Sequence, residues 1–303
     1  MKEIKDCISL HYVESAFPYH FTMKIDTKEE FDDFYYKALE ERDSLYRGEG
    51  DARWICRSSL LRDFRNRCMP IIGDEYFKKS FMRYKYTHLD KETEILMDNH
   101  EGCGFRSCAQ GMEIALQHYG HKTSLIDFSK DIKVALCFAA EYNLNWNEEA
   151  PHRYMKIIRL RHAVSLSEPL ACFYESMSGI VSTSKDPQVR AAASEAIQES
   201  FESDNSCIWD TNRDNIAYID PLDIEFLHPY LSNRRIEAQK GVLVHTGIHQ
   251  PFSLEEAVAT IRRDMNAQVE MDVTLIHAGL AHYIMEKLAA VGVTYKSLFP
   301  DKL

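Results

Sequence analysis

The chain has 303 residues, 45% of them hydrophobic, which is enough for one large domain or two small ones around a sizeable core. Lys and Arg number 36 against 47 Asp and Glu, and the net charge of -11 argues against non-specific nucleic-acid binding, which rests on neutralising phosphates. No run approaches the roughly eighteen apolar residues of a membrane span, the start has no apolar leader region, and the expected setting is cytoplasmic.

Residues 1–26 are mixed in period and read as a short strand and loop docked on the domain, and nothing chemical follows from them. Thr27 with Glu30 three residues later is a capping box, and Phe31, Phe34, Tyr35, Ala38 and Leu39 then form one apolar helical stripe. The helix leads into Leu45-Tyr46-Arg47-Gly48, which reads as a short strand ending in a turn. An Arg at the end of a core strand is costly to bury unless an anion meets it, and its planar fork suits a diphosphate. Internal pairing of Arg47 with Asp127 or Glu49 is the alternative. Arg53, Arg57, Arg62, Arg65 and Arg67 follow, either a solvated helix face or a phosphate-facing rim. Asp74 to His100 reads as one or two helices whose aromatic residues pack over the core, interrupted by Gly102-Cys103-Gly104.

The densest stretch is Leu116-Gln117-His118-Tyr119-Gly120-His121-Lys122-Thr123-Ser124-Leu125-Ile126-Asp127-Phe128-Ser129. Gly120 stands where a helix stops, because Gly enters the left-handed conformation without steric cost. Thr123 to Ile126 has the β-branched, apolar content of one buried strand. Ser129 occupies an N-cap position, and Ile132, Ala135, Leu136 and Ala139 repeat at helical spacing behind it. His118, Tyr119, Thr123, Ser124 and Asp127 place more hydrogen-bonding groups between these elements than a structural turn requires. Asp127 and Ser129 read equally well as helix caps.

Asn143 to Pro151 is a polar loop, and Tyr154 to Leu160 a strand by its β-branched content. Residues 165–206, rich in Ser and acids, look like an insertion with a helix after Pro187. Ile216 to Ile219 is a further strand, and Pro221 and Pro229 bracket an extended connector. Arg234-Arg235-Ile236-Glu237-Ala238-Gln239-Lys240-Gly241 then runs into a strand over Val242 to Thr246. Ser253 with Glu256 opens another helix, Val273 to Ile276 is a strand, and the stretch from Leu280 to Ala290 is a helix stopped by Gly292. Eight cysteines without regular spacing are expected to be mostly reduced thiols. Cys103 and Cys108 with His118 and His121 are the one grouping suggestive of zinc, and their spacing does not suit a closed tetrahedral site, so no metal is expected. No Gly-x-Gly-x-x-Gly fingerprint or repeated βαβ unit occurs, which leaves an α+β domain as the expected class.

Three motifs in this order resemble the FRG-domain family: Tyr46-Arg47-Gly48; Gln117-His118-Tyr119-Gly120 with Thr123, Leu125 and Asp127; and Arg235-Ile236 followed by Gln239 and Gly241. The resemblance runs from about Leu45 to the C-terminus, which divides the chain into a helical lead-in at residues 1–44 and an FRG-type α+β domain at 45–303 that contains the insertion at 165–206. It implies a mixed, split β-sheet distantly similar to the ADP-ribosyltransferase fold, with NAD held in a cleft. Under that analogy Arg47 belongs to the first motif, the Thr123/Ser124 strand to the second, and Glu237 or Gln239 to the third. Gln239, Glu237 and Arg47 are then the catalytic candidates, and Arg47, Gly48, His118, Tyr119, Thr123, Ser124 and Asp127 the ligand-binding ones. Ser124 and Phe128 stand where the family commonly has Arg and Trp.

The implied function is binding of a nucleotide-like ligand, NAD, with ADP-ribosyl transfer to a macromolecular acceptor or NAD cleavage. A non-catalytic nucleotide-sensing or protein-interaction module is the alternative. A nucleic-acid-binding or processing factor using the Arg53 to Arg67 stretch is a second, and the charge balance disfavours it.

Overall fold

Eight strands and their flanking helices build one mixed sheet in the computed structural model, which describes residues 21–68, 83–85, 87–88, 91–92, 109–118, 120–145, 153–167, 176–177, 179–202, 216–224, 233–245 and 270–300. In chain order these are β1 (Met23–Ile25), α1 (Lys28–Glu40), β2 (Ser44–Glu49), α2 (Ser59–Cys68), α3 (Ala109–His118), β3 (Ile126–Ser129) and α4 (Ile132–Glu141). Then come β4 (Tyr154–Arg161), β5 (Val164–Ser165), α5 (Pro187–Glu202), β6 (Ala217–Ile219), α6 (Asn233–Gln239), β7 (Gly241–His245), β8 (Glu270–His277), α7 (Ala281–Ala289) and α8 (Tyr295–Leu298).

The strand order is β1-β8-β4-β2-β3-β7-β6-β5, with β1 parallel to β8, β5 parallel to β6 and every other neighbour antiparallel. The ladder is uneven. β4 pairs with β8 from Tyr154 to Arg161 and with β2 from Ser44 to Glu49, yet β2 meets β3 at the single pair Tyr46–Ser129. The sheet therefore consists of two half-sheets that part company beyond that pair, and the gap between them is the site described below.

Period-two burial places Tyr46, Met155, Ile157 and Ile276 on one face, against α1, α4, α7 and the C-terminal segment. Leu45, Ile158, Leu160, Phe128 and Val242 line the other. α4 anchors the first face: Ile132, Val134, Ala135, Leu136, Cys137, Ala139 and Ala140 are all buried, and each large apolar side chain so placed contributes roughly 1.5–3 kcal/mol. Such a helix must lie very close to the strands beneath it. A Cβ on Gly48 would sit 1.8 Å from the Ala135 carbonyl oxygen, and one on Gly50 would sit 2.4 Å from the Cβ of Tyr142. Glycine at position 48 lets α4 rest on the β2 backbone, and glycine at position 50 admits the helix's C-cap residue against the turn that follows β2.

The capping box of α1 forms as its sequence predicts, and Phe31, Tyr35 and Ala38 are its buried stripe. Gly120 and Gly292 take positive φ at the two helix ends. Three expectations are corrected. Arg47 lies inside β2 rather than at its end. The second-motif strand begins at Ile126, not Thr123, because the backbone around Thr123 finds its partners elsewhere. The Ser59 hydroxyl accepts from Thr123 N, Thr123 O accepts from Leu60 N, and Glu113 Oε1 accepts from Ser124 N. Ser129 ends the strand, and Asp131 caps α4 by accepting from Lys133 N. The segment before β7 is the helix α6.

β1 and α1, from the expected lead-in, join the same sheet and core, and β5 takes the first residue of the expected insertion into the sheet. The expected helices within 74–100 and after Ser253, the Gly102–Gly104 break, Tyr119 and Pro229 lie wholly or largely outside the described residues. Among the described residues no helix is long and apolar enough to cross a membrane.

Candidate functional site: a cleft where the sheet divides

A cavity of about 330 Å³ opens where β2 and β3 diverge. Arg47 and Gly48 of β2, Asp127 to Ser129 of β3, Gln117 and His118 at the end of α3, and Ala135 and Phe138 of α4 form one part of its wall. Arg235, Ile236 and Gln239 of α6, the start of β7, and Phe299 form the other. Its volume falls at the lower end of the roughly 300–1,000 Å³ typical of small-molecule sites.

Arg47 is fixed in this cavity from two directions. Its Nε donates to Glu49 Oε1 at 2.9 Å, and its Nη1 donates to the Asp127 carbonyl oxygen at 2.8 Å across the divide. Nη2 has no hydrogen-bond partner among the described residues, and the side chain keeps 20% of its surface exposed. Behind it, Glu49 Oε2 pairs with Lys156 Nζ at 2.9 Å, both side chains at 3% exposure or less. Lys156 also donates to the carbonyl oxygens of Ala52 and Trp54 in the loop after β2. Burial pushes the Glu49 carboxyl up, but the cations on either side outweigh it and hold it below the usual carboxylate range. One negative charge, that of Glu49, is thus shared by two cations, Lys156 behind it and Arg47 among the residues lining the cavity, which leaves a net positive charge there.

The second motif is a relay. The buried Thr123 hydroxyl donates to Gln117 Oε1, and Gln117 Nε2 donates to Asp127 Oδ2 at 2.8 Å. With its oxygen occupied by a hydroxyl donor, the Gln117 amide can present only its NH₂ to the carboxylate. Oδ1 of Asp127 has no hydrogen-bond partner among the described residues, and Asp127 is the one acidic residue among those lining the cavity. Thr123 and Ser124 do not line it themselves, and Ser124 is held through its N and hydroxyl by Glu113 Oε1 at 2.5 and 2.6 Å.

The third motif divides. Glu237 is exposed and outside the cavity wall, because on a helix residues two apart point away from each other. Gln239 lines the wall, and its Nε2 donates to Leu298 O at 3.0 Å, tying α6 to the C-terminal segment. That segment places Phe299 under the Arg235 guanidinium, 5.1 Å from its centre, and edge-on to Phe138 at 5.9 Å.

Arg235, Phe299, Phe138 and Gln117 are lining residues that the sequence reading does not assign to the site. Arg235 and Gln117 lie inside the motifs and were legible there, whereas the two Phe residues look like ordinary core. Arg53, Arg57, Arg62, Arg65 and Arg67 do not line this cavity; Arg53 pairs with Asp51 and Arg67 with Asp63. His121 is bonded to Glu92 at 2.6 Å, Cys103 and Cys108 are outside the described residues, and no metal-binding group of His, Cys, Asp or Glu occurs among the described residues.

Residues 42–148 match the family model of the FRG domain. The match covers β2, α2, α3, β3 and α4, hence the Arg47, Gln117 and Asp127 part of the wall, while Arg235, Gln239 and Phe299 lie beyond it. No curated protein and no solved structure matches the chain.

Proposed function

Given that the chain carries an FRG domain at residues 42–148, we propose that it binds a nucleotide of the NAD or ADP-ribose type in the cleft between its half-sheets. The carrying observation is the Arg47 guanidinium, held on two edges by Glu49 and the Asp127 backbone in a residue that lines the cavity, with Nη2 unpaired among the described residues. A cation immobilised in this way binds phosphate with little loss of side-chain freedom, and charge-assisted bonds to it are about twice as strong as neutral ones. Arg235 adds a second cation to the same wall, and Phe138 and Phe299 add an aromatic region suited to a base. The cavity encloses part of a dinucleotide and leaves the remainder at its mouth.

ADP-ribosyl transfer to a macromolecular acceptor, or cleavage of NAD, is the reaction such a ligand would serve. One observation favours the second reading, a nucleotide-sensing module without turnover: Glu237 stands outside the wall and the Gln239 amide is engaged with Leu298. Calorimetry with ADP-ribose and NAD, beside mass spectrometry of NAD, separates the two. Saturable binding that Arg47→Ala weakens, with NAD consumed, supports the transferase. The same binding with NAD intact supports the sensor, and absence of binding to either compound rejects the nucleotide reading altogether.

A further inference from the structure

We infer that Asp127 is the receptor for a ribose hydroxyl pair and makes this cleft select ribonucleotides over their deoxy counterparts. The inference rests on the nucleotide reading above and adds to it the part of the ligand that is recognised. Asp127 borders the cavity beside Arg47, whose Nη1 holds its backbone oxygen, so an anion-binding edge and an acceptor edge stand next to each other. A sugar phosphate offers the same two groups in sequence: an anion, then hydroxyl donors. A carboxylate has about four acceptor directions, and Gln117 occupies one, which leaves room for two hydroxyls. Carboxylates at the ribose of bound dinucleotides work by this chemistry in other folds.

The relay behind Asp127 supports the assignment. An exposed aspartate on a strand rotates freely unless something fixes it, and here Gln117 does so with an amide whose orientation is set in turn by the buried Thr123 hydroxyl. Gln117 and Thr123 are positioning residues. Their side chains act on the ligand through the carboxylate, which explains why a fully buried threonine belongs to the same motif as an exposed aspartate.

The test compares ADP-ribose with its 2′-deoxy and 2″-deoxy analogues by calorimetry. On the wild-type chain, one of the two analogues is expected to bind at least tenfold more weakly than ADP-ribose, because a site built around a hydroxyl rejects a ligand lacking it. Asp127→Asn, an isosteric change at an exposed position, is expected to erase that ratio while retaining dependence on Arg47. Thr123→Ser keeps the hydroxyl and should keep the ratio, whereas Thr123→Val frees the Gln117 amide to flip and should narrow it. Equal binding of all three ligands to the wild type, or an unchanged ratio in Asp127→Asn, overturns the inference and leaves the nucleotide reading standing. No binding of ADP-ribose to the wild type overturns both.

Discussion

Arg47 Nη1 and the carbonyl oxygen of Asp127 lie 2.8 Å apart, and this bond spans the two half-sheets just where their ladder stops. A ladder pair at that position would have closed the cleft. A long side chain spans it instead, with a gap beside it, so the same guanidinium that joins the halves is available to an anion between them.

Replacing Arg47 with Ala removes that bridge and the cation together. Ligand bonds to a charged group contribute roughly 1.5–3 kcal/mol, so ADP-ribose affinity is expected to fall tenfold or more in calorimetry. The domain should still fold, because Lys156 remains to neutralise Glu49. Arg47→Lys is expected to bind nearly as poorly, since one ammonium cannot replace the fork that meets Glu49, Asp127 and a phosphate at once. An Arg47→Ala chain with wild-type affinity would remove the basis for placing the ligand here.

The ion pair behind Arg47 predicts an order of stabilities. Glu49→Gln takes the carboxylate away from a Lys156 ammonium buried at 1% side-chain exposure, and loss of one partner from such a buried pair costs on the order of 3–5 kcal/mol. Lys156→Met leaves Glu49 still paired with Arg47 and fills the space with apolar atoms, so it should cost less. The Glu49 carboxyl is depressed in the folded state, so its contribution is complete above the ordinary value of 4.5 and is lost as pH falls through the lower folded value. Urea midpoints should therefore show the wild type's advantage over Glu49→Gln as constant above pH 4.5 and shrinking below it. An advantage that grows toward acid would contradict the arrangement.

Gly48→Ala tests the close approach of α4. The added Cβ would lie 1.8 Å from a backbone oxygen of a helix buried along most of its length, so the helix must shift or the strand must bend. Overpacking of this kind costs about 3 kcal/mol or more, read as a lowered urea midpoint at unchanged slope. Because Ala135 also lines the cavity, the variant's residual folded fraction should bind ADP-ribose more weakly.

These glycines show what was legible in the sequence. Gly120, Gly292 and the Thr27/Glu30 box act within a few residues, and all three took the expected geometry. Gly48 could be read as a motif member, but its reason, the Ala135 carbonyl, lies across the domain. The strand expected at Thr123 failed for a related cause: propensity registers β-branching, not the Ser59 and Glu113 side chains that claim those backbone groups. Lys156 sat inside a correctly expected strand without any sign that it was buried, since a lysine ordinarily faces solvent. The split at Tyr46 and Ser129, and the return of Phe299 to the cavity, depend on pairings distant in sequence that no local pattern encodes.

The buried thiols offer a chemical check. Cys56 and Cys137 are buried thiols, and burial pushes both up to about 12. Since the thiolate is the reactive form, neither should be alkylated by iodoacetamide at pH 8 in the native chain, and both should label once urea unfolds it. Peptide mapping by mass spectrometry reads the two sites separately. Rapid native labelling of Cys56 would mean that the Glu49 and Lys156 neighbourhood is open to solvent.

Gln239→Ala distinguishes a clamp from a group that acts on the ligand. Its Nε2 bond to Leu298 O is one neutral hydrogen bond, worth about 1 kcal/mol, and its backbone oxygen would still accept from the Ser129 hydroxyl. Phe299 would keep its contacts with Arg235 and Phe138, so the C-terminal segment should loosen without leaving. The expected result is a small loss of stability and a fall in ADP-ribose affinity well below that of Arg47→Ala. Phe299→Ala removes an aromatic wall and should cost about 3–5 kcal/mol in stability, with a larger loss of binding. Glu237→Ala, at an exposed position outside the wall, should change neither quantity. If Gln239→Ala instead left binding intact and stopped NAD consumption, the amide would be acting on the reacting ribose in the transition state, and its bond to Leu298 would belong only to the ligand-free protein.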